Sequence, residues 1–118
     1  MSGLRSYLAG KAAEDSVVAR YAQEGYRVLC RRWRGPGGEI DLVLSKGDVV
    51  IFVEVKSAPS WAEAATRLSR RQIARLMTSA EAGLGFFLRG SLTEMRFDVA
   101  LVDRAGRIDV LPNALMAA

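Results

Sequence analysis

Asp41, Glu54 and Lys56 are the residues of this chain best suited to chemistry. Asp41 lies in the segment GEIDLVL; Glu54 and Lys56 lie in VVIFVEVK. Both segments are short, apolar and bounded by turn residues, which predicts two β-strands. Side chains alternate between the faces of a strand, so Glu54 and Lys56 share a face. A carboxylate inside such a run is costly unless it is paired or binds a metal. An acid on one strand, with an acid and a lysine on the next, suits metal-dependent phosphodiester cleavage. The phosphodiester's charge repels its nucleophile; a divalent cation neutralises that charge and lowers the pKa of a bound water. Magnesium prefers carboxylate oxygens and keeps several waters. Asp41 and Glu54 are therefore the expected ligands of Mg2+ or Mn2+, with the backbone carbonyl of Val55 as a further oxygen. Lys56 would orient the attacking water or stabilise developing phosphorane charge. The competing reading is a structural ion pair of Lys56 with Glu54 or Asp41.

The elements that must position these residues follow from periodicity. Residues 6–25 carry an approximately helical stripe of Tyr7, Leu8, Ala12, Val17, Val18, Tyr21 and Ala22, with Gly25 as the stop. Glu14 lies in this helix. It either turns inward to complete the acidic site or stays outside, paired with Lys11 or Arg20. Residues 26–34 alternate as a strand, with Tyr26, Val28, Cys30 and Arg32 on one face and Arg27, Leu29, Arg31 and Trp33 on the other. The turn Gly35 to Gly38 leads to strands over 39–45 and 49–57, joined by Lys46-Gly47-Asp48, which predicts an antiparallel meander. A helix follows from near Ala62 or Ser69 to Ala82, with Leu68, Ile73, Leu76 and Met77 facing the core. Residues 84–91 fit either a helix end or a short strand. Strands over 94–102 and 107–111 complete the order α-β-β-β-α-β-β, and the tail NALMAA is expected to be loosely held. At 118 residues, half of them hydrophobic, the chain is expected to form one domain over residues 1–118.

Composition narrows the chemistry. There is no histidine, which excludes Ser-His-Asp and Cys-His catalysis and most zinc sites. The single cysteine, Cys30, cannot close an internal disulfide, and nothing in the chain would activate it as a nucleophile. It reads as a small strand hydrophobe, and a reducing, cytoplasmic setting is expected. No run of 18 apolar residues offers a membrane span, and the charged N-terminus reads as a helix rather than a signal peptide. A small-molecule phosphohydrolase is disfavoured, because GPGG leads into a strand and not a helix N-terminus.

The net charge is +4, with 14 arginines to three lysines. The arginines fall in two clusters: Arg27, Arg31, Arg32 and Arg34 on the first strand, and Arg67, Arg70, Arg71 and Arg75 on the second helix. Arg67, Arg71 and Arg75 are i, i+4 neighbours with no acid between them, so they repel one another. A polyanion would relieve that repulsion and release its counterions. A solvated basic face accounts for the same pattern. Trp33 and Trp61 suit core packing or loop anchoring better than base stacking.

Asp41, a spacer, then Glu54-Val55-Lys56 resembles the signature of the PD-(D/E)XK nucleases, with Ile40 where that signature has proline. The element order resembles their restriction-endonuclease-like core: α/β, with a mixed central sheet flanked by helices. More narrowly, a set of segments resembles the uncharacterised bacterial YraN family, whose relatives include archaeal Holliday junction resolvases. These are Gly10 with Glu14, Gly25-Tyr26, Gly38-Glu39-Ile40-Asp41-Leu42, Phe52-Val53-Glu54-Val55-Lys56, Arg71-Gln72 and Arg96-Phe97-Asp98-Val99. The resemblance spans nearly the whole chain. It implies metal binding by Asp41 and Glu54 and a catalytic Lys56. Glu14 resembles the helix acid of the resolvases, and Gln72 a helix glutamine that supports the site in many of these nucleases. The chain departs from the pattern at Ser57-Ala58-Pro59, where a basic residue usually follows EVK. It departs also at Arg32, in place of a frequent asparagine, and at Arg71, in place of a lysine.

Together these features imply a magnesium-dependent nuclease-like protein acting on DNA. No element is built for base readout, so selectivity for branched structure is expected over selectivity for sequence. Cleavage of a junction needs two symmetric sites, which a homodimer would supply. The alternative is a non-catalytic nucleic-acid-binding or assembly module on the same fold.

Overall fold

The apolar runs of the sequence become strands, and these join one sheet in chain order. The computed structural model describes residues 2–87 and 94–114. Helix α1 (Ser2–Gln23) precedes strands β1 (Arg27–Gly35), β2 (Gly38–Lys46) and β3 (Val49–Ser57). Helices α2 (Trp61–Thr66) and α3 (Arg70–Phe87) follow, then strands β4 (Glu94–Val102) and β5 (Ile108–Leu111). The sheet order is β1-β2-β3-β4-β5. The first three strands form the antiparallel meander expected of them, and β5 pairs antiparallel with β4. β3 and β4 are parallel, with α2 and α3 in the crossover between them. This mixed sheet flanked by helices is compatible with a restriction-endonuclease-like fold.

The central strands are apolar throughout because both of their faces are covered. On one face Ile40, Val43, Phe52, Phe97 and Val99 pack with Leu76 and Ala80 of α3, joined by Leu68 and Met77. On the other, Leu42, Leu44, Ile51, Val53 and Ala100 pack with Ala13, Val17 and Tyr21 of α1. The buried stripe of α1 therefore runs through Ala13, and Ala12 and Ala22 are exposed. Helix α1 ends as Gly25 predicts. Gly25 adopts φ +90, its N–H donates to Ala22 O, and Tyr26 N–H donates to Tyr21 O. The Tyr21 and Tyr26 rings meet edge to face at 5.5 Å over this cap.

Both candidate starts of the second helix are real, because a serine caps each. Ser60 Oγ accepts the Glu63 N–H at 3.2 Å, and Ser69 Oγ accepts the Gln72 N–H at 3.1 Å. The single expected helix is thus two, and the second runs on to Phe87, so residues 84–87 belong to a helix end. Residues 88–91 lie outside the described residues. Asn113 and Ala114, the first two residues of the tail expected to be loose, are held to the sheet, and residues 115–118 lie outside the described residues. Asn113 N–H donates to Asp98 at 2.9 Å and Ala114 N–H to Phe97 O at 2.7 Å.

Two polar clamps fix the layers. Asp98, fully buried, accepts from Tyr21 Oη at 2.6 Å and from Arg96 at 2.8 and 2.9 Å, tying α1 to β4. Ser79 of α3, also fully buried, accepts the Gly37 N–H at 2.8 Å and donates to Gly38 O at 2.9 Å. The β1–β2 turn is thereby pressed onto α3 so closely that a Cβ at Gly37 would lie 1.8 Å from Arg75 O. Gly37→Ala is therefore expected to lower stability by about 3 kcal/mol, the upper end for forcing an atom into packed space. Gly85→Ala meets nothing within 4 Å in α3 and should raise stability by up to about 1 kcal/mol. Urea denaturation of both variants checks the contrast.

Candidate functional site

The acidic residues meet where the regular sheet fails. In β2, Leu42 and Leu44 face α1 and Val43 faces α3; strict alternation would turn Ile40 toward α1, yet it packs on the α3 side. The change of face falls at Asp41. In β1, Cys30 and Trp33 lie on the α3 side although they are three positions apart, so the expected alternation of this strand does not hold. The left-handed backbone at Arg32, φ +54, lies between them and turns the strand over; a second irregularity, a shift of register, falls earlier, between Val28 and Cys30. The flanking pairs Arg31↔Leu42 and Trp33↔Ile40 put Arg32 opposite Asp41. The distortion thus crosses both strands along one line.

That line opens the seam between β2 and β3. The ladder runs from Lys46↔Val49 to Leu42↔Val53 and stops there, at the step where Asp41 would face Glu54. The Val55 N–H donates instead to Asp41 Oδ2 at 2.7 Å. Glu54 is buried, and its Oε2 lies 3.3 Å from Lys56 Nζ, as two residues on one strand face allow. Its other oxygen, Oε1, is buried and accepts no hydrogen bond. Burial and the neighbouring Asp41 carboxylate push the Glu54 carboxyl up to about 8, against a smaller opposite pull from Lys56.

Glu14 of α1 turns inward toward this group. It is buried, and burial followed by repulsion from Asp41 raises its pKa. Its partner is Arg32, with Nη2 3.5 Å from Oε2. Lys11 and Arg20 pair instead with Asp15 and Glu24 one helical turn away. The structure therefore groups Asp41, Glu54 and Lys56, and sets Glu14 and Arg32 beside Asp41 from the α1 side. Gln72 is half-buried in the first turn of α3, and among the described residues its side chain makes no hydrogen bond to the acids.

The model of the Uncharacterised protein family UPF0102 matches residues 13–102, a stretch that contains all of these residues. The chain belongs to this family, the YraN family. A UPF0102 protein of Cereibacter sphaeroides is 51% identical over 117 residues, covering 99% of this chain and 100% of its own. A UPF0102 protein of Ruegeria pomeroyi is 51% identical over 112 residues, covering 95% and 91%. One from Roseobacter denitrificans is 48% identical over 114 residues, covering 97% and 88%.

The arginines of this UPF0102 chain divide by partner. Arg31 is bound to Asp15 at 2.7 Å and Arg32 to Glu14, so both are partly neutralised. Arg67 caps the C-terminus of α2 and so does not share a helix with Arg70, Arg71 and Arg75 as expected, because the serine cap at Ser69 starts a new one; it donates to Ser57 O at 2.8 Å. Arg34, Arg70, Arg71 and Arg75 are exposed and form no salt bridge among the described residues. Trp33 packs in the core against Phe52 and Phe87, and Trp61 anchors a loop by donating to Arg107 O at 3.0 Å. Sequence reasoning placed Arg32 among surface charges and missed its pairing with Glu14; only the kink in β1 turns it there. No helix is long and apolar enough to cross a membrane among the described residues.

The raised Glu54 carboxyl has a consequence for stability. The unfolded chain ionises near its ordinary value of 4.5, whereas the folded chain keeps the proton to about 8. Between those values the native state binds more protons, so stability falls as pH rises and levels off above. In chelator-treated buffer, urea midpoints should fall from pH 5 to pH 8, and Glu54→Gln should flatten that decline.

Proposed function

We propose that the chain is a metal-dependent nuclease that binds DNA and hydrolyses its phosphodiester bonds, selecting branched structure over sequence. The observation that carries this reading is the Asp41–Glu54 pair: two carboxylates facing across an opened strand seam, with one buried oxygen lacking a donor. Mutual repulsion and desolvation make that arrangement costly, and a hard cation offsets both. Among the described residues no three of His, Cys, Asp and Glu are grouped at metal-holding spacing, so the chain offers two carboxylates and not a closed cage. That suits Mg2+ or Mn2+, which keep several waters.

Asp41 and Glu54 would hold the ion, with the Val55 carbonyl as a further oxygen. When bound, such an ion neutralises phosphate charge and lowers the pKa of a water. Lys56 is the nearest mobile cation, and its ammonium would position the attacking water and meet the charge that develops on phosphorus. Glu14 keeps Arg32 turned toward the site and adds negative potential to it. The exposed Arg34, Arg70, Arg71 and Arg75 would contact backbone phosphates, which gives affinity without base readout. Cutting both strands of a junction would need a second copy of the site in a homodimer.

Incubation with branched and single-stranded DNA plus Mg2+ or Mn2+ tests the reading. Asp41→Ala and Glu54→Ala should each lose more than the roughly 10–100-fold that removing a metal's supporting partners costs. Calorimetric titration with Mg2+ should give heat for wild type and none for Glu54→Gln. Independently, log affinity for DNA should fall against log salt with a slope of roughly −3 to −4 for four phosphate contacts, and Arg71→Ala should reduce it by about 1.

A second reading, a non-catalytic nucleic-acid-binding or assembly module, draws on the Lys56–Glu54 ion pair, which neutralises one carboxylate without any metal. Under that reading DNA binds without being cut, and Asp41→Ala and Glu54→Ala leave binding unchanged.

A further inference from the structure

A cleft of about 450 Å³ opens on the α1 side of the sheet, beyond the carboxyl ends of β3 and β4. Its walls include Ala12 and Ser16 of α1, Ser57 at the end of β3, Arg67, and Arg104 and Gly106 of the β4–β5 turn. The volume falls in the range of roughly 300–1,000 Å³ typical of ligand sites. The carboxyl ends of parallel strands are also where open α/β sheets bind ligands.

Apart from Asp103, its polar groups are two arginines and two serines set among alanines, Pro59 and Val102. Arg67 is fixed to the wall by one N–H, donated to Ser57 O at 2.8 Å, which leaves the rest of its five donors available. Arg104 is exposed, and its side chain has no salt-bridge partner among the described residues. The one carboxylate lining the cleft, Asp103, is already engaged. It accepts from Ala105 N–H and Arg107 N–H at 3.0 and 2.8 Å, and from Arg107 Nε at 2.7 Å. Arg107 thus offsets Asp103, which leaves the guanidinium groups of Arg67 and Arg104 as the charges that line the cleft, beside the hydroxyls of Ser16 and Ser57.

Two of its lining residues neighbour acidic-site residues along the chain. Ser57 follows Lys56 directly, and Ala13, another lining residue, directly precedes Glu14. One residue is about 3.3 Å along a strand and 1.5 Å along a helix.

We propose that this cleft is a second phosphate site, which seats a backbone phosphate of the nucleic-acid strand a short step from the bond to be cut. Arg67 and Arg104 grip the phosphate, and Ser16 and Ser57 complete its hydrogen bonding. The inference deepens the nuclease reading, from which it takes the strand as ligand. Phosphate binding itself needs neither metal nor turnover.

The test is titration of the full chain by amide chemical shift, in chelator at low salt, with hexathymidylate and separately with inorganic phosphate. Hexathymidylate should shift Ser16, Ser57 and Gly106, and Arg67→Ala and Arg104→Ala should each weaken it about tenfold, as loss of a charge-assisted hydrogen bond does. Arg67→Lys, which keeps the charge, should weaken it less. Arg104 makes no side-chain bond that folding would miss, so its variant remains decisive if Arg67→Ala is unstable. Shifts confined to Arg34 and α3, or unchanged affinity in Arg104→Ala, would overturn the proposal. So would binding of inorganic phosphate without hexathymidylate, which would mark a free-anion pocket. Cleft binding by a protein that never cuts DNA would sink the nuclease reading and leave this site standing.

Discussion

Two carboxylates held across one strand seam impose the constraint around which this molecule is arranged. In a continuous sheet Asp41 and Glu54 would face each other within a backbone ladder, in an interior where charge is expensive. The chain instead ends the ladder one step early and gives the Val55 N–H to the Asp41 carboxylate. That bond satisfies one acid. It leaves Glu54 between the repulsion of Asp41 and the attraction of Lys56, with burial the larger influence on its proton. The left-handed Arg32 belongs to the same arrangement. A non-glycine residue in that conformation costs on the order of 1 kcal/mol or more, and such residues persist where the surroundings over-determine them. Here the surroundings are the Glu14 carboxylate and the face change at Asp41.

The remainder of the fold holds this seam open at a fixed width. Helix α1 supplies Glu14, and its placement is set by Tyr21, which is buried two turns further along and donates to Asp98. Asp98 is satisfied in turn by Arg96 and by the tail at Asn113, so one buried acid binds helix, sheet and tail. On the opposite face Ser79 fastens the β1–β2 turn to α3. Both strands that carry the distortion are thus anchored at the turn beside it. A site built on strands and clamped from two layers keeps its geometry better than one carried on loops.

Charge is distributed with similar economy. The arginines nearest the acids are paired with Asp15 and Glu14, whereas those on α3 face solvent without partners. A cluster of i, i+4 guanidinium groups gains nothing for folding.

Much of the architecture was legible in the sequence. Apolar runs between turn residues marked every strand, Gly25 marked the end of α1, and Asp41, Glu54 and Lys56 stood out because acids are rare in such runs. These are local signals, carried by period and by turn chemistry. What the sequence could not supply was any departure from regularity. Strict alternation put Cys30 and Trp33 on opposite faces, and it gave no reason for Arg32 to seek Glu14. The two serine caps split one expected helix into two, and contacts with Asp98 and Phe97 hold Asn113 and Ala114 to the sheet. The chain alone determined which residues are present and in what order of elements. Only the tertiary structure decided that Glu14 turns inward, that the ladder opens at Asp41, and that a cationic cleft forms at the ends of β3 and β4. Each of these depends on contacts between residues far apart in sequence, whose energies no local window contains.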